Sequence, residues 1–370
     1  MKKTVLVVAI LAVGAPSYAQ FGGVGGAVRR AQQAQDTKKK IDDLTITEEE
    51  EQTIGLDVSQ KVRQRFGVVQ DPAVHKYVSL VGTTLAKLSD RPDLPWTFIV
   101  LDTDGVNAFA SPGGYVHITR GALGLIENEA ELAGVLGHEI GHVVRKHTIN
   151  ALRKNNAVQL GAGAASERSA LLASVGNAVY SNVLENAYDR GDELDADRLG
   201  VELPAKAGYN ASGLSSFLSR LDDRNKDQAE KNGLFASHPD TKERIDKAAA
   251  LAKATKGSAT VQPRYKANIK YQPAPITAIA VVADGASGLT GSTKSDDKKD
   301  DKKEEPKKKG FGLSALKPSV SSEKQSTQVS ASGGARGVGP DRAAKGGSNP
   351  AVVKTTVSAA ELAEFKKGIA

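Results

Sequence analysis

The sequence predicts an α+β fold that is mostly helical. Two short segments rich in strand-forming residues, 96–101 and 115–119, precede a long series of segments with the apolar spacing of helices. Strands that give way to helices, instead of alternating with them, are typical of α+β domains. The chain has 370 residues, 39% of them hydrophobic, which is enough for one or two sizeable cores. It has no cysteine, so disulfides and thiolate metal sites are excluded.

The start of the chain has the features of an export signal. Lys2 and Lys3 precede an apolar run, 5–13, and a small-x-small site that ends at Ala19. The run is shorter than the roughly 20 residues that a membrane-spanning helix needs. We therefore expect a signal peptide over 1–19, cleaved after Ala19, and a periplasmic or secreted protein. The glycine-rich residues 20–40 are expected to form a flexible leader.

Residues 41–256 are predicted to form one domain that contains both strands and most of the helices. The predicted strands, 96–101 and 115–119, are expected to pair. The predicted helices begin with an acidic first turn after Thr47 and lie at about 48–66, 72–88, 128–147, 182–203, 211–225 and 239–255. Residues 257–284 are an extension of uncertain structure in which 276–283 has the composition of one more strand.

The basic character of the chain lies mainly at its end. Residues 20–284 contain 32 basic and 33 acidic residues, whereas residues 285–370 contain 16 basic and 10 acidic ones. Hence no specific nucleic-acid partner is expected for the folded part. We expect residues 285–370 to form a disordered, low-complexity basic tail that binds anionic envelope surfaces. Residues 359–369 have helical spacing but no evident partner.

One string in the predicted helix 128–147 carries metal chemistry: His138-Glu139-Ile140-Gly141-His142. Residues four apart on a helix lie about 40° apart around its axis, so both imidazoles can bind one tetrahedral Zn²⁺. Glu139 is rotated by about 100° from His138, where it can act as a general base without binding the metal. His147 lies about 140° from His142 and is expected to be a surface or capping residue.

An acidic segment, 192–197, is the best candidate source of a third metal ligand. A catalytic zinc site needs a third protein ligand and an open position for water. Glu193 and Asp197 are four residues apart and share a helix face. We expect Glu193 to be the third ligand and Asp197 to accept the free ring N–H of a zinc-bound histidine. Asp192 and Asp195 are expected to be solvated.

Four motifs in register resemble the zinc metallopeptidase family that includes the HtpX heat-shock protease and the type I CAAX prenyl protease. They are Asn107-Ala108-Phe109-Ala110-x-Pro112-Gly113-Gly114, the His138–His142 string after Glu129-x-Glu131-Leu132, Glu193-x-x-Ala196-Asp197, and Ser237-His238-Pro239-x-x-x-x-Arg244-Ile245. The resemblance spans about residues 45–252. It implies a gluzincin fold in which the strand 115–119 forms the lip of the cleft and pairs with an extended substrate. Asn107, Tyr115 and His117 are then candidates for the substrate lip, although His117 could equally face solvent.

His238 has three possible roles. It could be a surface residue next to a helix N-cap, a donor that stabilises the oxyanion, or a fourth zinc ligand that keeps the enzyme latent by occupying the position of the water. Latency is favoured, because a peptidase for unfolded chains must spare its folded neighbours.

The resemblance also implies the biological function. The chain is expected to be an exported zinc metalloendopeptidase, with one Zn²⁺ per chain, that degrades unfolded or misfolded envelope proteins. The alternative is a proteolytically silent, metal-stabilised scaffold or chaperone that docks on envelope surfaces through its tail. Intact Glu139 argues against this alternative, since a scaffold needs no general base.

Overall fold

The computed structural model describes residues 46–154, 172–173, 175–180, 188–225, 238, 241–274, 279–281, 330–332 and 349–369. From Glu48 onward these residues belong to one compact unit. The predicted signal peptide 1–19, the leader 20–40 and most of the tail lie outside the described residues.

The order of elements follows the sequence prediction closely. The helices are α1 (Glu48–Phe66), α2 (Pro72–Ala86), α3 (Arg120–Leu125), α4 (Glu129–Val144), α5 (His147–Lys154), α6 (Arg190–Lys206), α7 (Gly213–Asn225), α8 (Thr241–Lys253), α9 (Gln262–Asn268) and α10 (Ala359–Lys367). The strands are β1 (Thr97–Leu101), β2 (Ala108–Ser111), β3 (Tyr115–Thr119), β4 (Ile279–Val281) and β5 (Ser330–Ser332). The predicted mostly helical α+β class is confirmed. Among the residues that the structure describes, no helix has both the length and the apolar character needed to cross a membrane.

The main sheet has three strands in the order β1-β3-β2. As predicted, β1 and β3 pair; they are parallel, with Thr97 opposite Tyr115 and Leu101 opposite Thr119. β2, which was not predicted as a strand, pairs antiparallel with the other side of β3, with Ala108 opposite Ile118. A Pro-Gly-Gly turn joins β2 to β3, and Gly113 has a φ of 73° there, a conformation that glycine adopts without strain.

This strand order corrects the expectation that β3 forms the lip of the cleft. Both edges of β3 are already hydrogen-bonded, so it cannot accept a substrate strand. His117 on β3 is fully buried and its Nε2 lies 2.9 Å from Oγ of Ser59, so it faces neither substrate nor solvent. Burial lowers the pKa of His117 to about 3, so the side chain is neutral at physiological pH.

The other two residues predicted at the lip hold the ends of the paired strands. Asn107 precedes β2, where its Oδ1 accepts from the backbone N–H of Ala108 at 2.9 Å and its own N–H donates to Oγ1 of Thr119 at 3.0 Å. Tyr115 starts β3 opposite Ser111 and is partly exposed. Their contact with substrate remains a prediction.

Helix α4 lies at the centre of the domain, and every one of its residues is buried. It begins after Asn128, whose Oδ1 accepts from the N–H of Glu131 at 3.0 Å and so caps the helix. Glycine allows α6 to cross α4 closely: a Cβ on Gly141 would lie 3.1 Å from Cα of Ala196, and one on Gly137 would lie 3.2 Å from Cα of Gly200. This close packing of α6 against α4 brings the acidic segment of α6 beside the histidines of α4.

The end of the chain requires a correction to the predicted tail. Residues 285–370 were expected to be disordered, and the helix at 359–369 was expected to lack a partner. Instead, α10 begins at a capping box formed by Ser358 and Glu361, and it packs against α2. Ile369 is only 2% exposed and belongs to the main hydrophobic core. The segment is ordered because its own apolar side chains pack against the domain, although the composition of residues 285–370 taken together predicts disorder. The domain boundaries at 41, 256 and 284 remain predictions.

Candidate metal centre

The centre is built first on α4, which presents His138 and His142 one turn apart. Their Nε2 atoms lie 3.1 Å from each other, and both side chains are buried. Burial lowers the pKa of His142 well below its ordinary value, which leaves the ring neutral. A neutral imidazole is the form that binds a metal, since its unprotonated nitrogen offers a lone pair.

Glu193 of α6 and His238 complete a group of four side chains around one point. Oε1 of Glu193 lies 3.4 Å from Nε2 of His142 and 2.8 Å from Nδ1 of His238. Nδ1 of His238 lies 3.3 Å from Nε2 of His138. One ligand atom from each of the four residues lies within 4.8 Å of every other. His238 is only 2% exposed, which excludes its assignment as a surface residue.

Four of these distances are close to those between neighbouring ligands in a tetrahedral metal site. Metal–ligand bonds of about 2.0–2.1 Å in a tetrahedron place neighbouring ligand atoms about 3.3–3.4 Å apart. The measured separations within the group, 2.8 to 3.4 Å for the closest pairs, bracket that value. Three imidazoles and one carboxylate form a donor set that suits zinc and other transition metals. The residues present therefore fit a metal ion held by His138, His142 and Glu193, with His238 beside them.

Asp197 lies beside one of the histidines, on the helix face that the spacing on α6 predicts. Its Oδ1 lies 2.9 Å from Nδ1 of His138, on the side of the ring opposite the metal-facing Nε2. Burial favours protonation of Asp197, but hydrogen bonds and charge from Arg244 outweigh it and lower the pKa of Asp197 to about 2. An ionised Asp197 holds the proton of His138 on Nδ1 and leaves Nε2 free as a metal ligand.

Arg244 of α8 links these acidic residues to the segment that carries His238. Its Nε and Nη2 each lie 2.7 Å from an oxygen of Asp197, and its Nη1 lies 2.7 Å from Oε2 of Glu193. The same Nη1 donates to the backbone oxygen of His238 at 3.1 Å. Arg244 is 2% exposed, and its hydrogen bonds and charge lower the pKa of Asp197. The pKa of Glu193 is held well below its ordinary value by the charge of His238 and then by that of Arg244, which together outweigh burial. The sequence motif contains Arg244, but nothing in its spacing predicts this role.

Glu139 lies next to the four donor groups without belonging to them. It is 1% exposed, and neither of its carboxylate oxygens has a hydrogen-bond partner among the described residues. Nε2 of His238 lies 3.8 Å from Oε1 of Glu139. Burial raises the pKa of Glu139, which makes its carboxylate a stronger base than an exposed one. An unpartnered carboxylate at this position is free to take a proton from a water molecule or give one to a leaving group.

His147 corrects the prediction of a surface or capping residue. It is 5% exposed, and its Nδ1 lies 3.1 Å from Nδ1 of His142. Its Nε2 lies 3.8 Å from a carboxylate oxygen of Asp192 and 3.8 Å from one of Asp195, so these acids are not merely solvated. His147 therefore supports His142 as Asp197 supports His138.

Tyr188 also contacts the metal group, although none of the sequence motifs contains it. Its ring stacks on that of His142, with centroids 4.0 Å apart, and its hydroxyl lies 2.8 Å from Oγ1 of Thr148. No spacing rule links a lone tyrosine to a motif so far away in the sequence.

Comparison with known proteins agrees with this geometry. The sequence profile described as Peptidase family M48 matches residues 72–252. The metalloprotease YcaL of Escherichia coli K12 is 30% identical over 175 residues, which cover 45% of this chain and 68% of YcaL. The chain belongs to peptidase family M48. Membership identifies the domain around α4 as a metallopeptidase domain, as the motifs predicted.

Two further relatives match over a similar part of the chain. The putative beta-barrel assembly-enhancing protease of Vibrio cholerae is 29% identical over 211 residues, covering 54% of this chain and 44% of that protein. The mitochondrial metalloendopeptidase OMA1 of Schizosaccharomyces pombe is 26% identical over 213 residues, covering 57% of this chain and 63% of OMA1. The chain thus spans less than half the length of the first of these relatives.

Proposed function

We propose that this chain is an exported zinc-dependent endopeptidase that hydrolyses peptide bonds in unfolded or misfolded proteins of the cell envelope. The observation that carries the proposal is the combination of a buried group of four metal-binding side chains with a buried carboxylate beside it, that of Glu139, which has no hydrogen-bond partner among the described residues. A structural metal site would need the donors but not the free base.

The proposed roles follow from the positions of the side chains. His138, His142 and Glu193 would hold the metal. A zinc ion bound there supplies Lewis acidity, which lowers the pKa of a bound water and polarises the substrate carbonyl. Glu139 takes the proton of the attacking water and returns it to the amine that leaves. Asp197 and His147 keep the two ligand histidines oriented during this exchange.

The proposed substrate site lies along β2 rather than β3. The outer edge of β2 has no strand partner among the described residues, and strand addition needs such an edge. Ala110 and Ser111 of β2 line the same pocket as His142 of the metal group. An extended chain paired with β2 would therefore pass beside the metal. Because backbone hydrogen bonds dominate this mode of binding, it suits unfolded substrates of varied sequence.

Two observations support the proposal that the substrates are proteins of the cell envelope. The name beta-barrel assembly-enhancing protease, carried by several relatives, supports substrates among envelope proteins. The predicted signal peptide 1–19 supports export to the periplasm or beyond. The basic residues between 285 and 348 are proposed to bind anionic envelope surfaces, which predicts binding to anionic vesicles that weakens as salt is raised.

The experiment that tests the proposal compares metal content and casein cleavage in three proteins. Wild type should contain one zinc per chain and cleave casein. Glu139→Gln should retain the zinc and lose all but about one percent of the activity, because the amide cannot take a proton. Glu127→Gln is the matched control: this exposed carboxylate lies just before α4 and pairs with Arg220.

Two results would contradict the proposal. Activity of Glu139→Gln near that of wild type would mean that another base acts. A protein that holds zinc but cleaves no unfolded substrate, either as wild type or as His238→Ala, would favour the alternative of a silent scaffold or chaperone.

A further inference from the structure

The described end of the chain, residues 349–369, lies against the metallopeptidase domain along α2 and α9. We infer that this C-terminal segment is an intramolecular ligand of that surface and that its docking stabilises the start of α4, the helix that carries the metal site.

The first part of the segment binds through its backbone. The N–H of Val68 donates to the backbone oxygen of Asn349 at 2.7 Å, and Val68 also bridges to Leu101 at the end of β1. Nη1 of Arg63 donates to the backbone oxygen of Pro350 at 2.8 Å. Through Val68, the segment is therefore linked by backbone hydrogen bonds to β1, at the opposite side of the sheet from β2.

The middle part binds through side chains of α2. Nζ of Lys76 lies 2.8 Å from Oε1 of Glu361, and Oγ of Ser79 lies 3.1 Å from Oγ1 of Thr355. Lys76 also donates to the backbone oxygen of Thr356. These contacts set the position of α10 along α2.

The last part is apolar. Phe365 meets Tyr77 with ring centroids 6.3 Å apart and nearly perpendicular planes, and Ile369 is buried in the main core. A nine-residue helix such as α10 is not stable alone in water. The helical structure of α10 therefore depends on its packing against α2 and the core, as expected for a segment that folds only when bound.

A short chain of contacts joins the segment to α4. The guanidinium carbon of Arg264 lies 4.0 Å from the centre of the Phe365 ring, and Nη1 of Arg264 donates to the backbone oxygen of Phe365 at 3.0 Å. Nε of the same arginine donates to Oε2 of Glu129 at 2.8 Å. Glu129 is the first residue of α4 and is fully buried.

The carboxylate of Glu129 depends on this arginine for its charge balance. Its other contacts are two neutral hydroxyls, those of Tyr77 and Tyr209, each at 2.6 Å. Phe365 covers one face of the Arg264 guanidinium. Without that ring, water would reach the ion pair and weaken it. Just before α9, the backbone oxygen of Thr260 accepts from the N–H groups of Glu129 and Ala130 at 3.0 and 3.3 Å. Loosening of α9 would therefore also free two N–H groups at the start of α4.

The test uses the full-length protein with a site for a specific protease inserted between Gly310 and Phe311. After folding and cutting, the fragment that contains residues 349–369 should remain bound during gel filtration. In a cut protein that also carries Phe365→Ala and Ile369→Ala, it should dissociate at least about tenfold faster. The matched control is Glu364→Gln, which changes an exposed residue of α10 whose ion pair is with Lys367 of the same helix.

The effect on α4 is measured by hydrogen exchange in the uncut protein. Phe365→Ala should speed the exchange of amides 129–133 by at least about fivefold relative to Glu364→Gln. If Phe365→Ala does not fold, Lys76→Glu should have the same effect in weaker form, and Lys76→Glu with Glu361→Lys should restore slow exchange. Release of the fragment on cutting, or equal exchange in Phe365→Ala and Glu364→Gln, would overturn the inference. Neither measurement depends on peptide hydrolysis.

Discussion

The Nδ1 atom of His147 lies 3.1 Å from the Nδ1 atom of His142, although the two residues belong to different helices. His142 offers its other nitrogen to the metal group, and His147 lies between His142 and the acids of α6. The orientation of one predicted metal ligand thus depends on a neighbour that binds no metal.

Replacement of His147 by alanine should weaken zinc binding by about 10- to 100-fold, as loss of a supporting group around a metal ligand commonly does. A competition titration against a chelator of known affinity measures this change. His75→Gln is the control, since His75 is equally buried but bonds to the backbone oxygen of Val69, away from the metal group. Equal zinc affinity in the two variants would show that His147 has no role in orienting His142.

Replacement of His238 by alanine should raise the rate of peptide hydrolysis with zinc retained. His238 offers Nδ1 to the same point as the three proposed ligands, so it would occupy the position that a catalytic site keeps for water. The measurement is the hydrolysis of an unstructured peptide together with the zinc content. A fall of about 100-fold would identify His238 as an oxyanion donor instead. A rate within about twofold of wild type would leave it without either role.

Replacement of Arg244 by methionine should lower the free energy of unfolding by about 3–5 kcal/mol, because it leaves the buried carboxylate of Asp197 without the arginine that it pairs with. Chemical denaturation of the zinc-loaded protein measures the loss. The control, Arg190→Met, removes an arginine of α6 whose ion pair with Glu243 lies at the surface. An Arg244 variant as stable as this control would mean that Asp197 and Glu193 find other partners.

The protein should lose stability as the pH falls from about 6.5 towards 3, partly through His117. The folded state holds the pKa of His117 at about 3, whereas an unfolded histidine has a pKa of about 6.5. Below pH 6.5 the unfolded state therefore binds a proton that the folded state excludes, which favours unfolding. At pH 5 this group alone costs about 2 kcal/mol relative to pH 7.5.

His117→Gln tests this contribution, since an amide can still reach Ser59 but does not titrate. Urea denaturation at pH 7.5 and pH 5.0 should show a smaller loss of stability in the variant than in wild type. An identical loss in both proteins would mean that other groups account for the acid sensitivity.

The sequence predicts the metal group well because its information is local. His138, Glu139 and His142 are fixed relative to one another by helix geometry, and the same holds for Glu193 and Asp197. His147 was misplaced because the helix does not continue through it. Lys146 has a φ of 55°, so α4 ends and α5 begins in a new direction. A rotation of 100° per residue therefore does not apply across that point.

The other differences concern non-local contacts. The composition of 115–119 predicts a strand but not which strands flank it, and β2 contains only Phe109 as a strong strand former. The strand at the sheet edge was therefore misassigned. Arg244 lies in a polar helix, where an arginine is normally solvent-exposed. Arg244 is buried because it pairs with two buried carboxylates, those of Glu193 and Asp197, and these contacts cannot be read from the local sequence.

The separation of His138 and His238 by 100 positions also determines at what stage of folding the protein becomes able to cleave other copies of itself. Closing so long a loop costs conformational entropy, which only the packing of the folded helices can offset. In the unfolded chain, therefore, only His138 and His142 are close enough in sequence to bind one metal ion together. Arg244, which joins the acids of α6 to the backbone at position 238, comes later still in the chain. A newly synthesised copy therefore passes through its unfolded state without a working site. If unfolded chains are the substrates, as proposed, self-digestion becomes possible only after the molecule has folded and is no longer a good substrate.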